Sequence, residues 1–295
     1  MRTRTLCALL PLLLAAGCAT GRPEARLTSE PSIERAFDII NSVPEGRSLF
    51  KFLLKHPVRF EYSNTPGLCH KFSLDSGQIF LPEAYRDSDL LLAMTLARAA
   101  YIYRLYTLSG LDEFISEEEE LGALFQARLA VQINVVEADF DKAKWAKGIK
   151  DDFCTYVLEN SRYAMAQARK EVLSPDAACQ RPLETLENQK VWLEKTRQAI
   201  NDQSFYQLLY ERDMARVRKG AMSMSDAMKR DAEVRALPVY EVYRFQRTFY
   251  DKQSDIFERF AKLYAEELRK DASWRASHSG DIERTREEFS ACNLP

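Results

Sequence analysis

Apolar residues spaced for α-helices run through most of this 295-residue chain, and this spacing is the feature that most restricts its fold. Phe37 and Ile40, and then Leu49, Phe52 and Leu53, recur three or four positions apart. Such residues lie on one face of a helix. The same spacing returns after residue 88 and continues to about residue 270. A chain with this pattern builds its core from packed helices, so we predict a mainly α fold.

One short region breaks the helical pattern. Apolar and charged residues alternate from Val58 to Tyr62, which is typical of a half-buried strand. Residues 68–74 and 78–81 are further strand candidates, and Asp75-Ser76-Gly77 supplies a turn between them. We therefore predict an α+β chain in which helices surround a small antiparallel β-sheet.

Capping signals set the bounds of several predicted helices. Asp87 or Ser88 can cap a helix over 89–108, and Ser109-Gly110 is a typical sequence to end it. Ser116 and Glu119 have the spacing of a capping box, which predicts a helix start there. The helices predicted after Gly110 cover residues 116–140, 150–172, 184–219, 222–235 and 238–270.

The last predicted helix carries an apolar stripe whose members step by three, four or seven residues: Val242, Phe245, Phe249, Ile256, Phe260 and Leu263. Such a stripe is a packing surface, either within the chain or against a partner helix. Internal packing is the simpler interpretation.

The first eighteen residues carry the features of an export signal. Arg2 and Arg4 precede an uncharged apolar run over residues 6–16. This run is too short to span a bilayer but suits a signal peptide. Leu14-Ala15-Ala16-Gly17-Cys18 then resembles the lipobox of bacterial lipoproteins, in which small residues precede the cysteine that receives the lipid. The resemblance implies a signal peptide over 1–17, a lipid on Cys18 and a flexible tether over 18–31.

This resemblance also implies where the protein is found. A lipid on Cys18 anchors a chain to a membrane of the bacterial envelope. An aspartate directly after the lipid-bearing cysteine would favour the inner membrane. Because this residue is Ala19, we expect the outer membrane, with the protein facing the periplasm or the cell surface.

The 42 basic and 44 acidic residues nearly balance, so we expect no nucleic-acid partner. We expect the sheet to lie within residues 32–145 and a helical part, packed against it as one unit, to cover 146–295.

Four cysteines remain in the body of the chain: Cys69, Cys154, Cys179 and Cys292. An even number in an exported protein favours two disulfides. Cys154 and Cys179 bracket a predicted helix and a turn, so we favour that pair, with Cys69 and Cys292 as the complement. Four reduced, buried thiols are the alternative. No two of these residues have C-x-x-C spacing, so we do not predict a zinc site from them.

Between residues 58 and 140 the order of elements is strands, a helix and then a glutamate-rich helix. This layout resembles the zincin metallopeptidases, whose first helix carries H-E-x-x-H and whose later helix supplies a third zinc ligand. In the alignment that we prefer, Arg98 and Ile102 stand at the two histidine positions, and Ala99 stands at that of the general base. Glu119 or Glu120 stands at the position of the third ligand.

None of these three residues on the first helix can perform the chemistry of a zincin. A cation at Arg98 opposes zinc binding and can pair with one of the glutamates instead. The resemblance therefore implies a pseudo-enzyme with no metal, no cofactor and no catalytic residue. Its expected role is that of a membrane-anchored binding or scaffold protein whose partner is an envelope protein or peptide.

Two other interpretations use the same residues. In the first, Glu117–Glu120 is an acidic helix start that complements the helix dipole, and Arg98 is a solvated charge. In the second, the protein is an active envelope hydrolase with a non-standard metal site, assembled from dispersed residues such as His56, His70 and Glu117–Glu120. Because no pair of histidines has ligand spacing, the non-catalytic protein is the prediction that we favour.

Overall fold

The computed structural model describes residues 27–63, 71–73, 76–111, 115–141, 149–150, 153–154, 156–157, 185–202 and 205–289. Its helices and strands are α1 (Pro31–Ser42), α2 (Pro44–Lys55), β1 (Arg59–Tyr62), β2 (Lys71–Ser73), β3 (Gln78–Leu81), α3 (Asp89–Ser109), α4 (Ser116–Gln132), α5 (Glu137–Asp141), α6 (Leu186–Asp202), α7 (Phe205–Arg218), α8 (Met224–Arg235), α9 (Pro238–Ser277) and α10 (Ser279–Glu288).

The prediction of a mainly α fold with a small sheet is confirmed. The prediction that this sheet is antiparallel is wrong for one of its two strand pairs. The strand order is β1-β3-β2; β1 runs parallel to β3, and only β2 runs antiparallel to it. Alternating apolar residues identify the buried face of a strand but carry no information about the direction of its neighbour. The sequence pattern therefore could not distinguish the two kinds of pairing.

Helices α3 and α4 form the centre of the molecule. Helix α3 contacts α1, α2, α4, α9 and strand β3, and it is therefore buried on nearly all sides. Ser88 caps its start by accepting a hydrogen bond from the amide of Leu91, at 3.5 Å. Gly110, whose φ of 74° favours glycine, ends it as predicted. Leu92 and Leu96 are fully buried, and burial of each contributes about 1.5–3 kcal/mol to stability.

The long helix α9 joins this centre to a helical arm, which we define as residues 186–202 and 205–255. At the usual rise its 40 residues extend about 60 Å. Its second half packs on the core, where Ile256 and Phe260 are buried. Its first half packs with α6 and α8 in the arm. The predicted apolar stripe is thus internal at Ile256 and Phe260, whereas its first three residues, Val242, Phe245 and Phe249, are exposed.

The bounds of two predicted helices can be compared with the structure. The segment predicted as one helix over 184–219 contains α6 and α7, and residues 203–204 between them lie outside the described ranges. The helix predicted over 116–140 ends at Gln132, and α5 follows as a separate helix. Asn134 has a φ of 52°, which is a left-handed backbone conformation and ends a right-handed helix.

Several predicted features lie outside the described residues, and they stay predictions. They are the signal peptide, Cys18, Cys69, Cys179, Cys292, His70 and most of the helix predicted over 150–172. The described body begins at Leu27, within the segment predicted as a tether. Leu27 is fully buried, and its carbonyl accepts a hydrogen bond from the amide of Phe60, at 2.7 Å.

Candidate functional site

The candidate site lies where α3 and α4 approach each other most closely. The residue of α4 at this point is Gly122. A Cβ atom added to Gly122 would lie 2.7 Å from Cγ1 of Ile102 and 3.2 Å from Cγ of Arg98. A larger residue would therefore displace the side chain of Ile102, and two of the predicted site residues on α3 face α4 next to each other. Ala99, the third, is fully buried.

Arg98 forms an ion pair with Glu119 across this junction. The Nε and Nη2 atoms of Arg98 donate to the same carboxylate oxygen of Glu119, at 3.2 and 3.0 Å. The side chains are 20% and 26% exposed, so both are partly withdrawn from water. Arg98 is therefore more than a solvated charge, which was the alternative interpretation of this residue. Charge-assisted bonds of this kind are shorter and stronger than neutral ones.

Tyr85 lies on the same side of α3, after strand β3. It is 3% exposed, and burial raises the pKa of its hydroxyl to about 12, although the nearby charge of Arg98 acts in the opposite direction. The phenol is therefore neutral across the physiological pH range. It adds an uncharged polar group beside the ion pair.

The four consecutive glutamates at the start of α4 have four different partners. Glu117 accepts a hydrogen bond from the amide of Leu186, at 3.2 Å, and so fixes the start of α6. Glu118 accepts from the amide of Ile115, at 3.2 Å. Glu119 pairs with Arg98, and Glu120 accepts from the hydroxyl of Tyr264 on α9, at 2.7 Å. The sequence predicted an acidic helix start but not this division of partners.

The predicted capping box does not form, and one of its two hydrogen bonds lies one residue earlier. The cap of α4 is Ile115, and the carboxylate that returns to its amide is that of Glu118. The prediction had placed this pair at Ser116 and Glu119. The shift frees Glu119 to point towards Arg98 instead of its own backbone.

Glu118 is the most deeply buried acid of the four. It is fully buried, and its Oε1 atom has no hydrogen-bond partner among the described residues. Burial raises its pKa to about 8, and the neighbouring charges of Glu119 and Glu117 add to this effect, while the amide of Ile115 opposes it. A carboxyl group with this pKa is mostly protonated at neutral pH.

The residues at this junction do not fit a zinc ion. Arg98 is a cation that already binds the candidate third ligand, and Ala99 and Ile102 carry no ligand atom. Within the described ranges, no three His, Cys, Asp or Glu side chains are close enough to hold a metal ion together. His56 stacks on Phe52, with ring centres 4.4 Å apart.

A second polar cluster, which sequence reasoning missed, joins α9 to the core. Arg128 of α4 is 5% exposed, and it contacts Asp271 at 3.3 Å and Glu45 at 3.4 Å. The hydroxyl of Tyr156 donates to Asp271, at 3.1 Å. Nearby, the hydroxyl of Tyr101 donates to Glu267. In the sequence, the one sign of this cluster is that Arg128 is flanked by alanine and leucine in an apolar helix.

The arm contains a cavity of about 270 Å³ between α7 and α8. Its lining includes Tyr206, Tyr210, Asp213 and Arg230. The carboxylate of Asp213 is 9% exposed and lies 3.4 Å from Nε of Arg230. This cavity belongs to the arm and does not include the residues predicted from the zincin layout.

Comparisons with family models, with curated proteins and with solved structures find no match to this chain. None of the helices in the described ranges combines the length and the apolar character that crossing a membrane requires.

Proposed function

We propose that this chain is a non-catalytic binding or scaffold protein, held at a bacterial envelope membrane by a lipid on Cys18. We further propose that its α3–α4 region is a zincin-like metallopeptidase site that has lost its chemistry. The observation that carries the proposal is the ion pair between Arg98 and Glu119. It occupies the two positions that would supply a first and a third zinc ligand.

The ion pair is incompatible with the chemistry of a zincin. A catalytic zinc needs three protein ligands and an open position for water. Here Glu119 is bonded to a guanidinium group, which does not lose its proton at physiological pH. Ala99, at the position of the general base, has no group that could activate water.

The arrangement of elements supports the zincin-like layout. Strand β3 precedes α3, which carries Arg98 and Ile102, and α4 then brings Glu119 to the face of α3. The two helices are held close by Gly122, so ligands at positions 98, 102 and 119 would be neighbours.

Different observations support the envelope anchor. The lipobox-like sequence ends at Cys18, nine residues before the described body begins at Leu27. A linker of that length reaches at most about 30 Å, which would keep the body close to the membrane surface. Cys154, the single cysteine in the described ranges, is 7% exposed, and the proposal gives it a disulfide partner among the cysteines outside those ranges. A disulfide is typical of an oxidising compartment outside the cytosol.

The layout can be tested by restoring the missing ligands. We expect the double variant Arg98→His/Ile102→His to bind one zinc ion per chain, with Glu119 as the third ligand. The wild-type chain should bind none and cleave no peptide. Histidine is close in volume to isoleucine, so the junction at Gly122 can accommodate it. The measurement is zinc content after dialysis, together with thermal unfolding to show that each variant is folded.

The matched control is the same double variant with Glu119→Gln, which removes one ligand and keeps the shape of the side chain. Zinc binding should fall sharply in this control. A folded double variant that binds no zinc would contradict the zincin-like layout, and stoichiometric zinc in the wild-type chain would contradict the non-catalytic function.

The anchor is tested separately. We expect the wild-type chain to fractionate with envelope membranes and a Cys18→Ala variant to be found in the soluble fraction. If the Cys18→Ala variant stays in the membrane fraction, the proposed lipid anchor is wrong. The result of the zinc-binding test does not depend on this outcome.

A further inference from the structure

Exposed apolar side chains are concentrated in the arm. In the described part of the chain outside it, the large hydrophobic residues that are exposed are Leu108 and Val136. The arm exposes many more: Val191, Trp192, Phe205, Leu208, Tyr210, Met224, Met228, Leu237, Val239, Val242, Phe245 and Phe249. Isolated exposed apolar residues are ordinary, but a contiguous group marks a surface that binds something.

Four of these residues form one contiguous surface, which we call the aromatic face: Trp192, Val242, Phe245 and Phe249. The ring of Trp192 on α6 meets that of Phe249 on α9 edge-on, with ring centres 6.0 Å apart. Phe249 in turn stacks with Phe245, at 6.3 Å. Phe245 is 72% exposed although three aromatic rings lie together here. The aromatic face therefore spans α6 and the first half of α9.

The spacing of this face is that of a helix-packing seam. Val242, Phe245 and Phe249 step by three and then four residues along α9, as the a and d positions of a coiled coil do. The same stripe continues into Ile256 and Phe260, which are buried against the core. The stripe is thus buried at Ile256 and Phe260 and uncovered at its first three residues, and the exposed Lys252 lies between the two halves.

We propose that the aromatic face is the interface of a homodimer, in which α9 of a second copy packs antiparallel across it. The charges beside it argue against anionic lipid, which favours basic flanks. Acidic Glu241 and Asp251 accompany Arg244 and Lys252 along the exposed side of α9.

A twofold axis at the level of residues 246 and 247 makes the face complementary to itself. In this register, Glu241 lies level with Lys252 of the second copy, so opposite charges meet at both ends. Phe245 lies level with residue 248 of the second copy, and Phe249 with residue 244. The aromatic side chains of the two copies therefore interleave instead of colliding.

The area of the face is consistent with a dimer. Large aromatic side chains bury about 150–250 Å² each. With exposed fractions of 44%, 54%, 72% and 41%, the four residues offer roughly 400 Å² per copy. The pair would bury about 800 Å² of apolar surface, and flanking residues on α6 and α9 need add only a few hundred more to reach the range of specific interfaces.

The test is the oligomeric state of the chain from residue 18 onward, with Cys18→Ser so that no lipid takes part. We expect sedimentation equilibrium to show a monomer–dimer equilibrium in a concentration series that extends to about 100 µM. Phe245→Asp should weaken the dimer at least about 100-fold, since it places two charges in the seam. Phe245→Leu should retain most of the association.

The matched control is Leu108→Asp, which makes a similar change at a 46% exposed position of α3 outside the arm. It should leave the dimer unchanged. The register predicts that Gln246→Cys forms a cross-link between copies under mild oxidation, whereas Val239→Cys does not.

Three results would overturn the proposal. They are a monomer at every concentration, a dimer that survives Phe245→Asp, and binding to lipid vesicles that Phe245→Asp abolishes while the protein stays monomeric. None of these outcomes depends on the lipid at Cys18 or on the zincin-like layout.

Discussion

Glu118 allows the most direct test of the electrostatics at the start of α4. Its carboxyl group is fully buried, one oxygen accepts the amide of Ile115, and the other has no hydrogen-bond partner in the described ranges. Burial raises its pKa from 4.5 to about 8. In the unfolded chain this group loses its proton near the ordinary value, whereas in the folded chain it retains the proton. The folded state is therefore progressively penalised as the pH rises from about 4.5 to about 8.

The size of this penalty follows from the two pKa values. At about 1.4 kcal/mol per pH unit, the interval corresponds to an upper limit of about 5 kcal/mol. Glu118→Gln removes the titration and keeps an oxygen that can accept the amide of Ile115. We therefore expect the stability of the variant relative to wild type to rise by several kcal/mol between pH 5 and pH 8, with little further change above that range.

The measurement is urea unfolding of both chains at each pH unit in this interval. Glu287→Gln on α10 makes the same chemical change at an exposed position, so it reports the effect of the substitution itself. A difference between wild type and Glu118→Gln that stays constant from pH 5 to pH 8 would refute the reasoning. It would mean that water or a neighbouring group compensates the buried charge.

Three further predictions concern packing and buried polar contacts. Gly122→Ala should lower the free energy of unfolding by about 1–3 kcal/mol, because its Cβ would press on Ile102. Gly280→Ala, in α10 with open space around it, should be neutral or stabilising by up to about 1 kcal/mol in the same urea titration. Tyr264→Phe should cost about 1–3 kcal/mol, because the buried side chain of Glu120 loses this hydrogen bond; unchanged unfolding in calorimetry would exclude this. Arg128→Met should cost about 3–5 kcal/mol and should expose α9 to limited proteolysis, since two acids lose their buried counter-charge; an unchanged cleavage pattern would contradict it.

The local elements could be predicted because their signals lie within a few residues of each other. The bounds of α3 followed from Ser88 and Gly110, whose capping roles depend on their own backbone. The three strands were found because alternation is also a local property. By contrast, the direction of β1 relative to β3 depends on the path of the chain between them, and no short pattern encodes it.

The sequence predicted the ion pair between Arg98 and Glu119 only as a pairing of Arg98 with one of the glutamates. A pattern comparison placed Arg98 and either Glu119 or Glu120 at corresponding positions of two helices. Only the packing of α3 on α4 decided that Glu119 is the partner, because these residues are 21 positions apart and Glu120 turns to Tyr264 instead. The contact of Arg128 with Asp271 spans 143 positions and was not predicted at all.

The sequence by itself therefore determined that this chain is a helical protein with one small sheet, and it drew attention to Arg98 and the glutamates of α4. Tertiary structure decided which glutamate neutralises Arg98 and which half of the stripe on α9 is buried. The physical reason is that the periodicity of apolar residues indicates which side chains tend to be buried. Which residues bury them depends on how elements that are distant in the sequence pack together. At Phe245 that group is not part of the described fold, which is why we assign it to a second copy of the chain.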